Sequence, residues 1–120
     1  MEKIKLAPVK PAISFKEFQN IDIRVGTIES VDNIEQADKL VKLRVNFGDH
    51  QRQILAGIKA ERVDPSEIIG RQALFVVNLE PRKMMGEVSE GMLFDIGYAD
   101  DVPPVLAVPE RSVPNGARAG

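Results

Sequence analysis

Short runs in which apolar and polar residues alternate restrict this chain to a fold built from small β-strands. The run 41–47, VKLRVNF, alternates without a break, and the run 21–26, IDIRVG, alternates as far as Gly26. A period of two predicts half-buried strands, and a glycine inside one predicts a bulge or a sharp bend. Further strands are predicted from residue 53 to 56, over residues 72–79 with their continuous apolar run ALFVV, and in the alternating run 92–98.

Two short helices interrupt these predicted strands. Ser14 with Glu17 three residues later is a capping-box pattern, which predicts an N-terminal helix. Asp64 followed by Pro65 predicts a second helix start, between the third and fourth strands. Residues 1–13 contain three Lys and two Pro and show no period, so we expect a flexible arm followed by one folded domain over 14–120.

The order of these elements predicts an all-β protein with a five-stranded barrel of the OB-fold type. A short helix lies between strands 3 and 4, an N-terminal helix precedes the barrel and a C-terminal extension follows it. A closed barrel removes the exposed edges of an open five-stranded sheet. In the OB-fold, ligands bind on the second and third strands and on the loops after strands one and four.

The composition excludes several kinds of functional site. The 120 residues include no Cys and one His, which excludes disulfides, thiol catalysis, Cys-ligated zinc and multi-His metal sites. No nucleophile motif surrounds His50, and no Gly-rich phosphate loop is present. We therefore expect an exposed structural His50, no catalysis, no metal and no cofactor. The sequence shows neither a membrane-length apolar run nor a secretory signal, so a cytoplasmic protein is expected.

The charge distribution leaves two interpretations open. The net charge of −2 argues against indiscriminate nucleic-acid binding. Residues 29–38 hold four acidic and no basic residues, whereas residues 39–62 hold six basic and two acidic ones. The second stretch predicts either a local basic face or an ordinary solvated strand face. The residues of this candidate basic face are Lys42, Arg44, Arg52 and Lys59.

The aromatic residues argue against base stacking. The chain has five Phe and one Tyr, and most of them fall on the apolar phase of their element, which assigns them to the core. Single-strand binders built on this barrel stack bases on outward rings, which this chain is not expected to have. The segment after the fourth strand places two basic residues before Met84 and Met85, so it is either a plain hairpin or a binding loop.

Several dispersed motifs closely resemble the tRNA-binding domain family. They are Asp22-Ile23-Arg24-Val25-Gly26, Ala37-Asp38-Lys39-Leu40, Ala56-Gly57-Ile58, Asn78-Leu79-Glu80-Pro81-Arg82-Lys83 and Ser89-Glu90-Gly91-Met92. This family includes the C-terminal domain of methionyl-tRNA synthetase, stand-alone tRNA-binding proteins and a branch that resembles a secretion-related chaperone. The resemblance covers about residues 14–118.

The resemblance implies an OB-fold that docks on the outer corner of tRNA by shape, as an accessory or in-trans recruiting factor for an aminoacyl-tRNA synthetase such as methionyl-tRNA synthetase. It also implies a homodimer. Carried over by position, the tRNA-binding residues are Lys39, Asn78, Arg82, Lys83, Ser89, Glu90 and Met92. The sequence departs from the family pattern at Glu35-Gln36, where His-Pro is usual, and at Glu80, where Lys is usual; both changes lower the positive charge.

These residues suit different roles in RNA binding. Arg82 and Lys83 are expected to contact phosphates, as a planar fork and as a point charge. Ser89 is expected to donate to a phosphate or a 2′-OH, and Met92 to pack on a base or ribose. Glu90 is expected to order the loop by accepting a backbone N–H or by pairing with a basic side chain.

Two other functions stay open at the level of sequence. One is a dimeric chaperone that binds unfolded polypeptide through an exposed apolar groove. The other is a domain that only tethers a synthetase and has little affinity for RNA. Dimerisation itself is predicted from the apolar run 73–77, the proline-broken tail and the length of the chain.

Overall fold

The computed structural model describes residues 6–35, 37–59 and 62–120; the first five residues of the expected N-terminal arm, and Gln36 of the Glu35-Gln36 pair, lie outside this range. The helix α1 spans Phe15–Phe18, and single 3-10 turns span Pro65–Ile68 and Tyr98–Asp100. The strands are β1 (Ile23–Asn33), β2 (Val41–Asn46), β3 (Gln51–Ala56), β4 (Gln72–Val76), β5 (Arg82–Met84), β6 (Glu87–Ser89), β7 (Met92–Leu93), β8 (Asp95–Ile96), β9 (Val105–Leu106) and β10 (Arg118–Ala119).

The main sheet is antiparallel and has the strand order β3-β2-β1-β4-β7. The long strand β1 lies at the centre of this order and pairs with a different neighbour in each half of its length. Residues 23–27 pair with β4, and residues 27–33 pair with β2. The end strand β3 closes onto the segment that enters β7, because the Glu90 N–H donates to the Gln53 carbonyl at 2.8 Å. The all-β prediction is thus confirmed as a curled, OB-like barrel with little helix.

The core lies inside the curl of the sheet. Its fully buried side chains include Ile28, Leu43, Ile54 and Phe75. One end is covered by the 3-10 turn Pro65–Ile68, whose Ile68 is buried in the same cluster. The Asp64 side chain accepts the Ser66 N–H at 3.1 Å and so caps this turn. The predicted helix between strands 3 and 4 is therefore present as a single turn.

Gly26 plays a different part from the one predicted. The irregularity in β1 falls between Ile28 and Ser30, not at Gly26. A Cβ at Gly26 would lie 2.5 Å from the Val45 side chain and 2.9 Å from the Phe47 ring. Glycine is required here because the core packs directly against the backbone of β1.

The prediction for residues 92–98 is wrong in both continuity and orientation. The run is split into β7 and β8, and Tyr98 begins a 3-10 turn. Leu93 is buried, whereas the larger residues of the other phase face outward. With Val105, which lies opposite Ile96 on β9, they form an outer apolar stripe of Met92, Phe94, Ile96 and Val105, all between 42% and 56% exposed.

Most aromatic residues lie outside the core, contrary to the sequence-based expectation. Only Phe47 and Phe75 are buried among the six rings. The exposed rings are Phe15, Phe18, Phe94 and Tyr98. The strand predicted over 72–79 is shorter in the structure, because β4 ends at Val76 and Leu79 is exposed.

The run 73–77 is covered by its own chain, so it offers no broad surface to a second copy. Ala73 and Phe75 are fully buried and Val76 is 6% exposed. Along the part of the chain that the structure describes, no helix has the length and hydrophobicity of a membrane span.

Candidate functional site

The segment between β4 and β7 folds into a hairpin of β5 and β6. Its two-residue turn is Met85-Gly86, with φ angles of 52° and 79°. Positive φ at both central residues is typical of the type I′ turn, whose twist matches that of paired strands. Arg82 and Lys83 lie on β5 and are exposed, as the phosphate-contact prediction requires.

The hairpin packs on the barrel through Met84. This side chain is half-buried against a small cluster of Ile34, Ala37 and Leu55, which Leu40 also joins. Ile34, Ala37 and Leu40 belong to the loop between β1 and β2, so this loop and the hairpin lie side by side. Met84 therefore anchors the hairpin on the barrel. Met85, at the hairpin tip, is 53% exposed.

Arg52 closes the base of the hairpin. Its Nη1 donates to the Val77 carbonyl at 2.6 Å and to the Glu90 carbonyl at 3.1 Å. These two residues flank the segment 78–89 that carries the hairpin. Its guanidinium also lies 5.9 Å from the centre of the Phe47 ring, and its Nε donates to His50 Nε2 at 3.0 Å. The sequence predicts Arg52 on a basic face, but the structure shows its guanidinium donating hydrogen bonds to other groups of the protein.

Gln53 and Glu90 lock the second strand of the hairpin to β3. Gln53 donates from its backbone N–H to Glu90 Oε1 at 3.1 Å, so Glu90 accepts a backbone N–H as predicted. The Gln53 side-chain amide donates to the Val88 carbonyl at 2.9 Å. Nothing in the sequence pattern singled out Gln53, since a lone Gln on a strand reads as an ordinary surface residue.

Ser89 and Asn78 both bind backbone groups, and Ser89 is buried. Ser89 is 3% exposed; its Oγ accepts the Leu55 N–H at 3.0 Å and donates to the Gly91 carbonyl at 2.9 Å. This correction to the expected phosphate contact follows from burial, which leaves the hydroxyl no path to a ligand. Asn78 accepts the Asp22 N–H at 2.8 Å and donates to the Asn20 carbonyl at 2.5 Å, so it ties the segment after α1 to the end of β4.

The candidate basic face does not exist as one surface. Arg52 lies opposite Val45 in the sheet, whereas Lys42 and Arg44 lie on the other phase of β2, so the side chains point to opposite faces. Lys42 pairs with Glu87 at 3.3 Å, and Arg44 donates to the Gln51 side chain at 2.9 Å. The Lys59 ammonium donates to the Ala37 carbonyl at 3.1 Å.

Two other predicted residues stay open to a ligand. Lys39 is exposed in the β1–β2 loop, and its carbonyl accepts the Lys59 N–H at 3.0 Å. Met92 is 45% exposed at the start of β7. Six of the seven predicted tRNA-binding residues are exposed, and Ser89 is the buried one. Asn78 and Glu90 also bind backbone groups, which leaves the side chains of Lys39, Arg82, Lys83 and Met92, with Met85 added by its exposure at the tip.

The positive charge of Arg24, on β1, is paired with a carboxylate of the same chain. Arg24 donates to both carboxylate oxygens of Asp22, at 2.7 and 3.1 Å. This hydrogen bonding holds the pKa of Asp22 below its ordinary value and raises the pKa of Arg24. Both residues line a cavity of about 440 Å³ that also contains His50 and Asp49, 2.6 Å apart. The hydrogen bond from His50 lowers the pKa of Asp49.

His50 is exposed, as predicted, and its ring stacks on Phe47 with centroids 5.6 Å apart. Within the described ranges, no three carboxylate or imidazole side chains lie together as a metal site would need.

Comparison with known proteins places these features in a family. Residues 23–118 match the family described as "Putative tRNA binding domain". The methionine–tRNA ligase of Chlorobium luteolum is 48% identical over 87 residues, which are 72% of this chain and 12% of the ligase. The chain thus corresponds to about an eighth of that relative's length.

Two solved structures share the fold over 92% of this chain and the whole of their own. The MetRS related protein from Pyrococcus horikoshii superposes with a TM-score of 0.84 at 35% identity. The chaperone CsaA from Bacillus anthracis superposes with a TM-score of 0.78 at 27% identity.

Proposed function

The chain belongs to the tRNA-binding domain family, and from this premise we propose that it binds tRNA by shape, at the outer corner of the molecule, without catalysing a reaction. The observation that carries the proposal is the exposed pair Arg82 and Lys83 on a hairpin held at both ends by Arg52. A rigid cationic hairpin recognises the spacing of phosphates, and phosphate contacts carry no sequence information. Glu80 and Glu35, both exposed, lower the local positive charge.

We further propose that the chain acts in the cytoplasm as an accessory or in-trans recruiting factor for an aminoacyl-tRNA synthetase, with residues 14–120 as the binding unit. The similarity to a methionine–tRNA ligase and to a MetRS related protein supports a methionyl enzyme as the partner. The family resemblance and the exposed outer apolar stripe support a homodimer.

The test of RNA binding is the double variant Arg82→Ala/Lys83→Ala. It should weaken different tRNAs by a similar factor, and the slope of log affinity against log salt should shrink by about 0.7–0.9 for each phosphate contact removed. Lys16→Ala/Arg111→Ala removes the same charge from exposed positions outside the hairpin and is the matched control. Equal loss in both variants, or no loss in either, would place the phosphate contacts elsewhere.

The second candidate function is a chaperone that binds unfolded polypeptide. It is favoured by the outer apolar stripe and by the likeness to the CsaA chaperones. Apolar patches of this kind serve protein contacts rather than phosphates. Under this alternative, the peptide binds to the outer apolar stripe, so it and tRNA compete poorly or not at all for the protein. Phe94→Ser then lowers the affinity for the peptide, whereas Arg82→Ala/Lys83→Ala does not.

A further inference from the structure

Tyr98 occupies an unusual position for the one tyrosine of the chain. Its side chain is 76% exposed, at the start of the 3-10 turn after β8. The ring lines a cavity of about 580 Å³ together with Lys39, Asp101, Val102 and the prolines Pro103 and Pro104. The cavity thus offers an aromatic face and apolar walls, with one cation and one carboxylate.

We propose that this cavity binds one unpaired nucleotide of the RNA held by the β5–β6 hairpin. The base stacks on the Tyr98 ring, and its phosphate lies against Lys39. The inference rests on the proposed function, which it deepens by adding a contact to a base. Proteins recognise unpaired RNA bases by stacking them on aromatic rings and by hydrogen bonds to their edges. The cavity has room for a stacked nucleotide.

The charged groups of the cavity are free for such a ligand. Among the described residues, neither the Lys39 ammonium nor the Asp101 carboxylate has a hydrogen-bond or ion-pair partner. The neighbouring Asp100 differs, because its carboxylate accepts the Ala7 N–H. A carboxylate repels phosphate but accepts hydrogen bonds from exocyclic amino groups of bases. Lys39 and Asp101 therefore orient a nucleotide with its phosphate toward one and its base edge toward the other.

Lys39 links the cavity to the hairpin. Its neighbour Leu40 packs in the same small cluster as Met84 of β5, so the β1–β2 loop touches the hairpin on one side. On the other side, Lys39 lines the Tyr98 cavity. The β1–β2 loop therefore connects the hairpin to the Tyr98 cavity, and we expect one RNA to contact both.

Intrinsic fluorescence tests the proposal directly, because the chain has one Tyr and no Trp and its tyrosine emission comes from Tyr98 alone. Adding tRNA to the wild-type protein should quench this emission with the same midpoint as binding measured by filter retention. A fully paired RNA duplex of equal absorbance corrects for absorbed light. Quenching no greater than that given by the duplex, under conditions where tRNA is bound, would overturn the proposal.

Variants provide the second measurement. Tyr98→Ala should weaken tRNA binding about 5- to 150-fold, the loss typical of a removed stacking ring, with an unchanged salt slope. Tyr98→Phe should bind like the wild type. Lys39→Ala should reduce the slope by about 0.7–0.9, as for one lost phosphate contact. Phe15→Ala removes a ring of similar exposure, 74%, outside the cavity and should have no effect.

The outcomes separate this inference from the proposed function. If the wild-type protein binds no tRNA, both fail together. If it binds tRNA through Arg82 and Lys83 while Tyr98 stays unquenched and Tyr98→Ala binds normally, only the nucleotide site is wrong. Melting and sedimentation of each variant exclude an indirect effect, and the wild-type fluorescence decides the matter if Tyr98→Ala does not fold.

Discussion

Met85 is held in a backbone conformation that costs free energy. Its φ of 52° lies in the left-handed region, which penalises a non-glycine side chain by roughly 1 kcal/mol or more. Packing of the side chain offsets little of this cost, because the side chain is 53% exposed. Strain of this kind is typical of functional sites, so we interpret Met85 as a contact residue at the hairpin tip.

The first prediction is that Met85→Asn stabilises the protein and weakens ligand binding. Asn tolerates the left-handed region, so the free energy of unfolding should rise by about 0.5–1 kcal/mol, as measured by urea denaturation. The control is Met84→Asn, which places a polar group in the Met84 cluster and should destabilise. If Met85→Asn loses stability, the prediction is wrong and the left-handed backbone at Met85 is not a source of strain.

The second prediction concerns pH. Hydrogen bonding from Arg24 holds the pKa of Asp22 below its ordinary value of 3.8. A carboxylate with a depressed folded-state pKa adds stability above its unfolded pKa, and this stability is lost as the pH falls through the folded value. Stability should therefore decline below about pH 4 in part because of Asp22.

Urea midpoints at pH 6 and pH 3 measure this contribution. Asp22→Asn should be less stable than the wild type at pH 6 and should lose less stability on acidification. Parallel declines in the two proteins would assign the acid sensitivity to other carboxylates, such as Asp49, whose pKa is lowered by His50.

At the scale of elements, the hairpin owes its position to contacts at its base rather than to its own two short strands. A free two-stranded hairpin is marginally stable in water. Arg52 bridges the carbonyls on either side of it, and Gln53 binds the backbone of β6. The shape of the cationic surface therefore depends on β3, which contributes no exposed cation to it.

The third prediction follows from this clamp. Arg52→Ala should speed hydrogen exchange of the hairpin amides and lower tRNA affinity several-fold, while the salt slope stays at the wild-type value because Arg52 contacts no phosphate. Arg44→Ala removes an exposed charge from the neighbouring strand and should change exchange little. A reduced salt slope in Arg52→Ala would mean that its guanidinium reaches the RNA after all.

The elements also show what a sequence can and cannot establish. The alternation in 41–47 predicts the strand and its buried phase correctly, because the buried Val41, Leu43 and Val45 alternate with polar residues. In 92–98 alternation favours burial of the phase that starts at Met92, because the other phase has Leu93 as its one large apolar residue, yet Leu93 is the residue that is buried. The closing bonds of Glu90 and the backbone at Gly91, with φ of 153°, fix the orientation that buries Leu93.

Tertiary structure is also needed to see that the expected phosphate contact of Ser89 is wrong, because this residue is buried. Ser89 and Asn78 fit the family motif, and only the tertiary structure shows that their polar groups bind backbone. The exposure of Arg82 and Lys83 could be predicted from the sequence, since charged side chains in a short hairpin need no distant partner to stay solvated, although they lie on strand β5 rather than in a loop.

At the scale of the whole molecule, we expect a second copy to cover the outer apolar stripe. A stable dimer buries about 1,200–2,000 Å² in total, which needs apolar residues on more than one strand. The pair Ile96 and Val105 spans β8 and β9 and is more than half exposed.

The fourth prediction is that the protein is a dimer and that Ile96→Asp makes it monomeric. The charged side chain cannot be buried without a partner, so association should be lost at tens of micromolar in sedimentation equilibrium. Val63→Asp changes a fully exposed apolar residue outside the stripe and should leave the mass unchanged. A wild-type monomer, or a dimeric Ile96→Asp, would contradict the assignment.

The pairing of β10 with β1 has a consequence for the speed of folding. Ile23 pairs with Ala119 and Arg24 with Arg118, so the first strand of the barrel receives its last neighbour from more than ninety residues away. Contacts between such distant residues form late, since loop closure must precede any gain from the contact. Until then, the start of β1 presents unpaired N–H and C=O groups along its edge, where another chain can add. We therefore expect folding in milliseconds to seconds and a refolding yield that falls with protein concentration.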